Sequence, residues 1–176
     1  MPALIALTLS VGVLAVIDTW LFGLASLAAL GLQVWISFIA WGTHFQAGGK
    51  INGTITAICC MAFGALTGMV AIILAGGAFS SLGTLAVPIA VGLGAALIVA
   101  VSKIPYLGIP PIGFYGFAAI AAVIVLKGVE PTKALVPVVV SIIIGALFGI
   151  VSEVVTDAIT KKGEPDAEHT ADPGHA

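Results

Sequence analysis

Apolar residues run along this chain in blocks separated by short polar or glycine-rich stretches. A helix needs about 20 apolar residues to cross roughly 30 Å of hydrocarbon, and the blocks predict such helices. The first block, Ala3 to Trp41, is too long for one crossing and is broken by Asp18 and Gly23, so it divides into spans over 3–21 and 24–42. Gly42-Thr-His-Phe-Gln-Ala-Gly-Gly-Lys50 is polar and small. A third span covers 52–75, Gly76 to Gly83 reads as a turn, and a fourth span covers 84–102. Lys103 to Pro111 then holds Pro105, Pro110 and Pro111, each lacking a backbone donor, so it is not regular helix throughout. The fifth span, 112–127, has an apolar stretch of only 15 residues, Ile112 to Leu126. It reads as an interrupted span, either a half-helix or one completed by the prolines before it. The sixth covers 134–156, with Pro137 in its first turn.

The expected fold is therefore an all-α integral membrane protein of about six transmembrane helices within residues 1–160. Residues 161–176, with the run Glu164-Pro-Asp-Ala-Glu168, have too little apolar surface to pack and are expected to be a disordered tail.

Composition sharpens this picture. Of 176 residues 60% are hydrophobic and 8% charged, against roughly 25% charged in soluble domains. Such a chain cannot build a charged shell. Nucleic-acid binding needs clustered cations, whereas this chain has six lysines, no arginine and a net charge of −2. Cys59 and Cys60, adjacent in an apolar run, read as packing residues. Met1 to Ala15 has no Lys or Arg, so it lacks the basic start of a signal peptide and reads as a retained span. With six spans, Lys50, Lys103, Lys161 and Lys162 share the side of both termini and Lys127 and Lys133 lie opposite, which places the termini in the cytoplasm.

The halves resemble each other. Gly64-Ala-Leu-Thr-Gly-Met-Val70 returns 81 positions later as Gly145-Ala-Leu-Phe-Gly-Ile-Val151. Val11, Gly12 and Ala15 return as Val91, Gly92 and Ala95, an offset of 80, and Trp35 and Phe38 match Phe114 and Phe117 at 79. A three-span unit duplicated in tandem, over about 3–75 and 84–156, re-enters the membrane from the opposite side. That is an inverted 3+3 repeat, the plan of many transporters. The Gly-x-x-x-Gly pairs, Gly64 with Gly68 and Gly145 with Gly149, are helix-packing residues.

Candidate pathway residues are few. Asp18 either lines a solute or proton path or sits at the headgroups beside Trp20. Thr43, His44 and Gln46 bring three hydrogen-bonding side chains to a span end followed by glycines, the pattern of either a cavity lining or an interfacial loop. Phe114, Tyr115 and Phe117 would form an aromatic constriction or serve as ordinary core aromatics. Glu153 and Asp157, four apart on one face at the end of the sixth span, read as solvated charges in preference to a proton relay, and Gln33 as an interhelical hydrogen bond. No catalytic motif, metal site or cofactor signature occurs, and the chain is not expected to be an enzyme.

The short second span running into Ala47-Gly-Gly-Lys50, and a late proline followed by Phe114-Tyr-Gly-Phe117, carry a resemblance. On them the chain resembles a family of small bacterial inner-membrane proteins known only as a domain of unknown function, numbered 1097. The resemblance implies about six spans in the bacterial cytoplasmic membrane and carries no activity or site residue. By analogy alone, the plan also looks broadly like urea-type solute channels. The reading is a channel or simple transporter for a small, neutral polar solute, in lipid and as a homo-oligomer. The alternative is a non-transporting scaffold that binds partners through its glycine faces.

Overall fold

The structure, a computed structural model, describes residues 2–161 (of Lys161, the backbone), so the expected tail lies outside the described residues apart from that backbone. No strand occurs among the described residues. Five helices are long and apolar enough to cross a membrane. They are α1 (Ala3–Gly23), α4 (Lys50–Gly76), α5 (Ala86–Ala100, extended by short turns of 3₁₀ helix at both ends), α6 (Pro110–Lys127) and α7 (Pro131–Lys161).

The expected second span is not one helix. It forms α2 (Ala25–Ala29), a turn, and α3 (Val34–Gln46) of 13 residues. At 1.5 Å per residue α3 is about 20 Å long, short of a crossing. Gly31 adopts the left-handed region (φ 74°), open to glycine at little cost, and Gln33 is extended. The freed backbone is satisfied inside the protein, because Gln33 N–H donates to Ser141 Oγ at 3.0 Å. The interruption falls in the second span, whereas the fifth is completed by the prolines before it, the other alternative expected there: α6 runs unbroken for 18 residues, with Pro110 and Pro111 in its first turn, where a missing N–H costs little.

Glycines set the closest approaches. A Cβ on Gly64 would run into the backbone of Gly113, and one on Gly145 into the backbone of Ser37. The order of these contacts gives the directions. Ser37 and His44 of α3 meet Gly145 and Gly149 of α7, while Gly113 and Phe117 of α6 meet Gly64 and Gly68 of α4, so each pair runs parallel. By contrast α1 is antiparallel to α7. Its Leu7 lies beside Asp157, its Ser10 bonds to Ser152, and its Asp18 reaches the Ser37 that rests on Gly145.

The halves bury equivalent positions. Every residue buried in α7 has a buried counterpart 81 positions earlier in α4, among them Ser141 with Cys60, Gly145 with Gly64 and Ser152 with Ala71. Ala6, Ser10 and Asp18 of α1 match buried Ala86, Ala90 and Ile98 of α5 at an offset of 80. Between α3 and α6 the shared burial lies at 76, pairing Ser37 with Gly113 and His44 with Ile120. The offset of 79 drawn from Trp35 and Phe38 is therefore corrected, and Trp41 is the counterpart of Phe117. Aromatic identity misled there because α3 and α6 differ in length, and burial against the glycine helices sets the register.

Candidate functional site

A polar seam runs between α3 and α7, with α1 closing it. Gln33, Ser37, Trp41 and His44 recur at helical spacing on one face of α3. At one end Gln33 binds Ser141 through its N–H, and its Oε1 accepts from Lys127 Nζ and from Trp35 Nε1 at 3.2 Å. It is the interhelical hydrogen bond that was expected, and it clamps the break between α2 and α3. Further along, Ser37 Oγ donates to Asp18 Oδ1 at 3.0 Å. Asp18 is fully buried and its Oδ2 has no partner. It lies inside the bundle, level with Gly145 in the middle of α7, so the headgroup alternative for this residue is corrected. One turn on, Trp41 Nε1 donates to Ser152 Oγ at 3.1 Å, and Ser10 Oγ donates to Ser152 O at 3.0 Å.

His44 closes the seam at the other end. It is fully buried; its Nδ1 lies 3.0 Å from Thr54 Oγ1 and its Nε2 3.3 Å from Glu153 Oε2. Glu153 Oε2 also accepts the backbone N–H of Lys50 at 2.7 Å. The carboxylate thus rests on the first turn of α4, and a Cβ on Gly49 would collide with it. Helix N-termini favour such a negative group. Glu153, which read as a solvated charge, is 27% exposed, accepts the Lys50 N–H and lies beside His44, whereas Asp157 remains exposed. The glycines of Ala47-Gly-Gly-Lys50 have a physical reason here. Gly48 and Gly49 hold positive φ (94° and 68°), and Gly49 lacks the side chain that would exclude Glu153.

The other candidates are dispersed. Thr43 is buried and donates back to Ala40 O at 2.8 Å, a local bond, while Gln46 is exposed at the end of α3. Phe114 and Tyr115 are exposed on α6, and Phe117 packs on Gly68 and Gly94. The three aromatics therefore do not converge on the seam. Gly64 and Gly68 face α6, and Gly145 and Gly149 face α3. All four glycines are packed within the chain. Among the described residues no group of three or more His, Cys, Asp or Glu could hold a metal ion.

A family model described as "Protein of unknown function (DUF1097)" matches residues 8–157. The chain belongs to this family. The match agrees with the resemblance carried by Ala47-Gly-Gly-Lys50 and by Phe114-Tyr-Gly-Phe117. No curated protein and no solved structure matches the chain. In this DUF1097 member, the seam includes Asp18 and His44, which the sequence reading singled out, Glu153, which it read as a solvated charge, and Ser37, Ser141 and Ser152, which it passed over. The available signal was the alignment of the two halves. Ser141 and Ser152 stand where α4 has Cys60 and Ala71, and Ser37 stands where α6 has Gly113, so one of the two seams carries hydroxyls that the other lacks.

Proposed function

We propose that the chain is a simple transporter for a small polar solute, built as an inverted repeat of two three-helix units, with α2 and α3 together as the middle member of the first. One observation carries this reading: the two equivalent seams differ in chemistry. The seam of α1, α3 and α7 holds Asp18, Ser37, Trp41, His44 and Ser152. Its counterpart of α5, α6 and α4 holds Ile98, Gly113, Phe117, Ile120 and Ala71. A buried carboxyl with an unpartnered oxygen is costly to keep, and within a membrane such groups mark solute or ion paths.

The seam is shut, with Gly145 on Ser37 and Gly149 on His44. A transporter that opens by moving the half-length α3 against α7 fits this packing better than a standing pore. The matched burial of α1 with α5, α3 with α6 and α4 with α7 supports the repeat, and the antiparallel setting of α1 on α7 fits the inversion. In the same reading the protein is a homo-oligomer of the bacterial inner membrane. Exposed Phe114 and Tyr115 face a neighbouring copy, and both termini lie in the cytoplasm. The scaffold alternative loses its proposed surface, because the glycine faces it needs are covered within the chain.

The test is stopped-flow swelling of proteoliposomes challenged with urea, short amides, glycerol and weak acids. One solute should enter faster than in empty liposomes, and Asp18→Asn and His44→Gln should slow it. If no solute of the panel is accelerated, or if both variants match the wild type, this reading fails.

A further inference from the structure

We propose that His44 and Glu153 form a proton-binding site and that the bound proton is the coupling ion for transport. The second half of this statement rests on the transport reading above, whereas the first stands on geometry alone.

Hydrogen-bond accounting locates the proton. Thr54 Oγ1 donates its one hydrogen to Lys50 O at 2.9 Å. It must therefore accept from His44 Nδ1, 3.0 Å away, so Nδ1 carries a hydrogen. In a neutral ring Nε2 would then present a lone pair; this buried atom makes no hydrogen bond, and Glu153 Oε2 lies 3.3 Å from it. A lone pair beside a carboxylate at a buried atom is repulsive, and a proton on Nε2 turns that repulsion into attraction. Glu153 Oε2 already accepts the Lys50 N–H at the first turn of the 27-residue α4, so it is occupied as an acceptor. The proton thus belongs to the ring, giving an imidazolium paired with a carboxylate.

The surroundings suit exchange with water. A cavity lined by Leu7, Phe45, Lys50, Glu153, Thr156 and Asp157 opens onto Glu153, behind which His44 is buried. Lys50 and Asp157 are its other charged groups and offset each other. The described parts of α1 and α3 that border it, Leu7 and Phe45, bring no charge. Binding adds a proton from water to the Nε2 lone pair. Release breaks that N–H bond and returns its electrons to nitrogen, leaving Nε2 and Oε2 in repulsion. The His44 ring is also the group against which Gly149 of α7 packs. Release therefore loosens α3 from α7 at the place where the seam must open.

The experiment has two arms on the full chain. In nanodiscs at neutral pH, 15N NMR of histidine-labelled protein reads the ring, with His44→Gln assigning the signal. Wild type should show both ring nitrogens of His44 protonated. Glu153→Gln, whose amide can donate to Nε2, should show the neutral ring with hydrogen on Nδ1. A neutral His44 ring in wild type overturns the proton site.

The second arm imposes a gradient of one pH unit on proteoliposomes with a solute found in the swelling assay. One coupled proton supports up to about tenfold accumulation. Glu153→Gln should abolish accumulation, and Glu130→Gln, in the distant loop before α7, should retain it. Accumulation by Glu153→Gln equal to wild type overturns the coupling while leaving the transport reading intact. If no solute moves in any protein, the transport reading and the coupling fall together, and the NMR arm still decides the site.

Discussion

Ser37 hands its hydroxyl hydrogen to one oxygen of Asp18 at 3.0 Å, and the other oxygen of that fully buried carboxyl has no partner. Asn at position 18 keeps an acceptor for Ser37 and replaces the second oxygen with an amide that cannot ionise. Hydrogen bonds to charged groups are worth about 1.5–3 kcal/mol, so Asp18→Asn should reduce solute flux by roughly tenfold or more. Its thermal midpoint in detergent should not fall. Comparing swelling rate and melting on one preparation checks this, and a slower rate with a lower melting point would assign Asp18 to folding instead.

Glycines of the same type should respond with opposite signs. A methyl on Gly145 meets the Ser37 backbone and one on Gly64 meets the Gly113 backbone, whereas Gly12 and Gly92 have nothing within 4 Å. Gly145→Ala and Gly64→Ala should each destabilise by about 1–3 kcal/mol through overpacking. Gly12→Ala and Gly92→Ala should be neutral or stabilising by up to about 1 kcal/mol, since alanine is the better helix former. Denaturant unfolding in mixed micelles measures both pairs. Equal effects at the four sites would contradict the packing described.

Ser152 holds the indole of Trp41. Its Oγ accepts from Trp41 Nε1 at 3.1 Å and donates to Gly149 O at 2.6 Å. Ser152→Ala leaves a buried N–H unpaired, at a cost of about 1–3 kcal/mol. Trp41→Phe removes both partners' need at once, so the double variant should be less destabilised than the sum of the singles. A double-mutant cycle reads the difference, and strict additivity would show that the bond contributes nothing.

Between α6 and α7 the Thr132 hydroxyl, and then the Lys133 ammonium 3.1 Å away, hold the Glu130 carboxyl below its ordinary value. A lowered carboxyl favours the folded state above the ordinary carboxylate range. That contribution disappears as pH falls through the lowered value. Because the group is fully exposed, the effect on stability should be slight. Lys133→Met should move the Glu130 titration upward in a carboxyl-labelled NMR experiment, and Thr132→Ala should do so too. No movement in either variant would mean that the contacts do not persist in solution.

Much of the membrane architecture was legible along the chain, because hydrocarbon imposes a length and a composition that local sequence must meet. The spans expected at 3–21, 52–75, 84–102 and 134–156 all fall within helices. The second and fifth were harder. Apolar content at 24–42 reads as a full crossing, yet the break at Gly31 to Gln33 depends on Ser141 and Lys127, which arrive from more than ninety residues away. Prolines before the fifth span look like an interruption, yet at the first turn of α6 they cost nothing. Asp18 and His44 stood out as polar residues in apolar surroundings. Glu153 did not, because at a helix end a charge is ordinary unless something is docked against it.

Periodicity and composition by themselves determined that this is an all-helical membrane chain with matched glycine pairs in its two halves, since those features answer to the bilayer and to local helix geometry. The tertiary structure alone decided which residues form the seam. Ser37 meets Asp18, and His44 meets Glu153 on the first turn of α4, across separations of 19 and 109 positions. A partner at that distance is chosen by how helices pack, and in this chain the packing is set by where glycine lets two backbones touch.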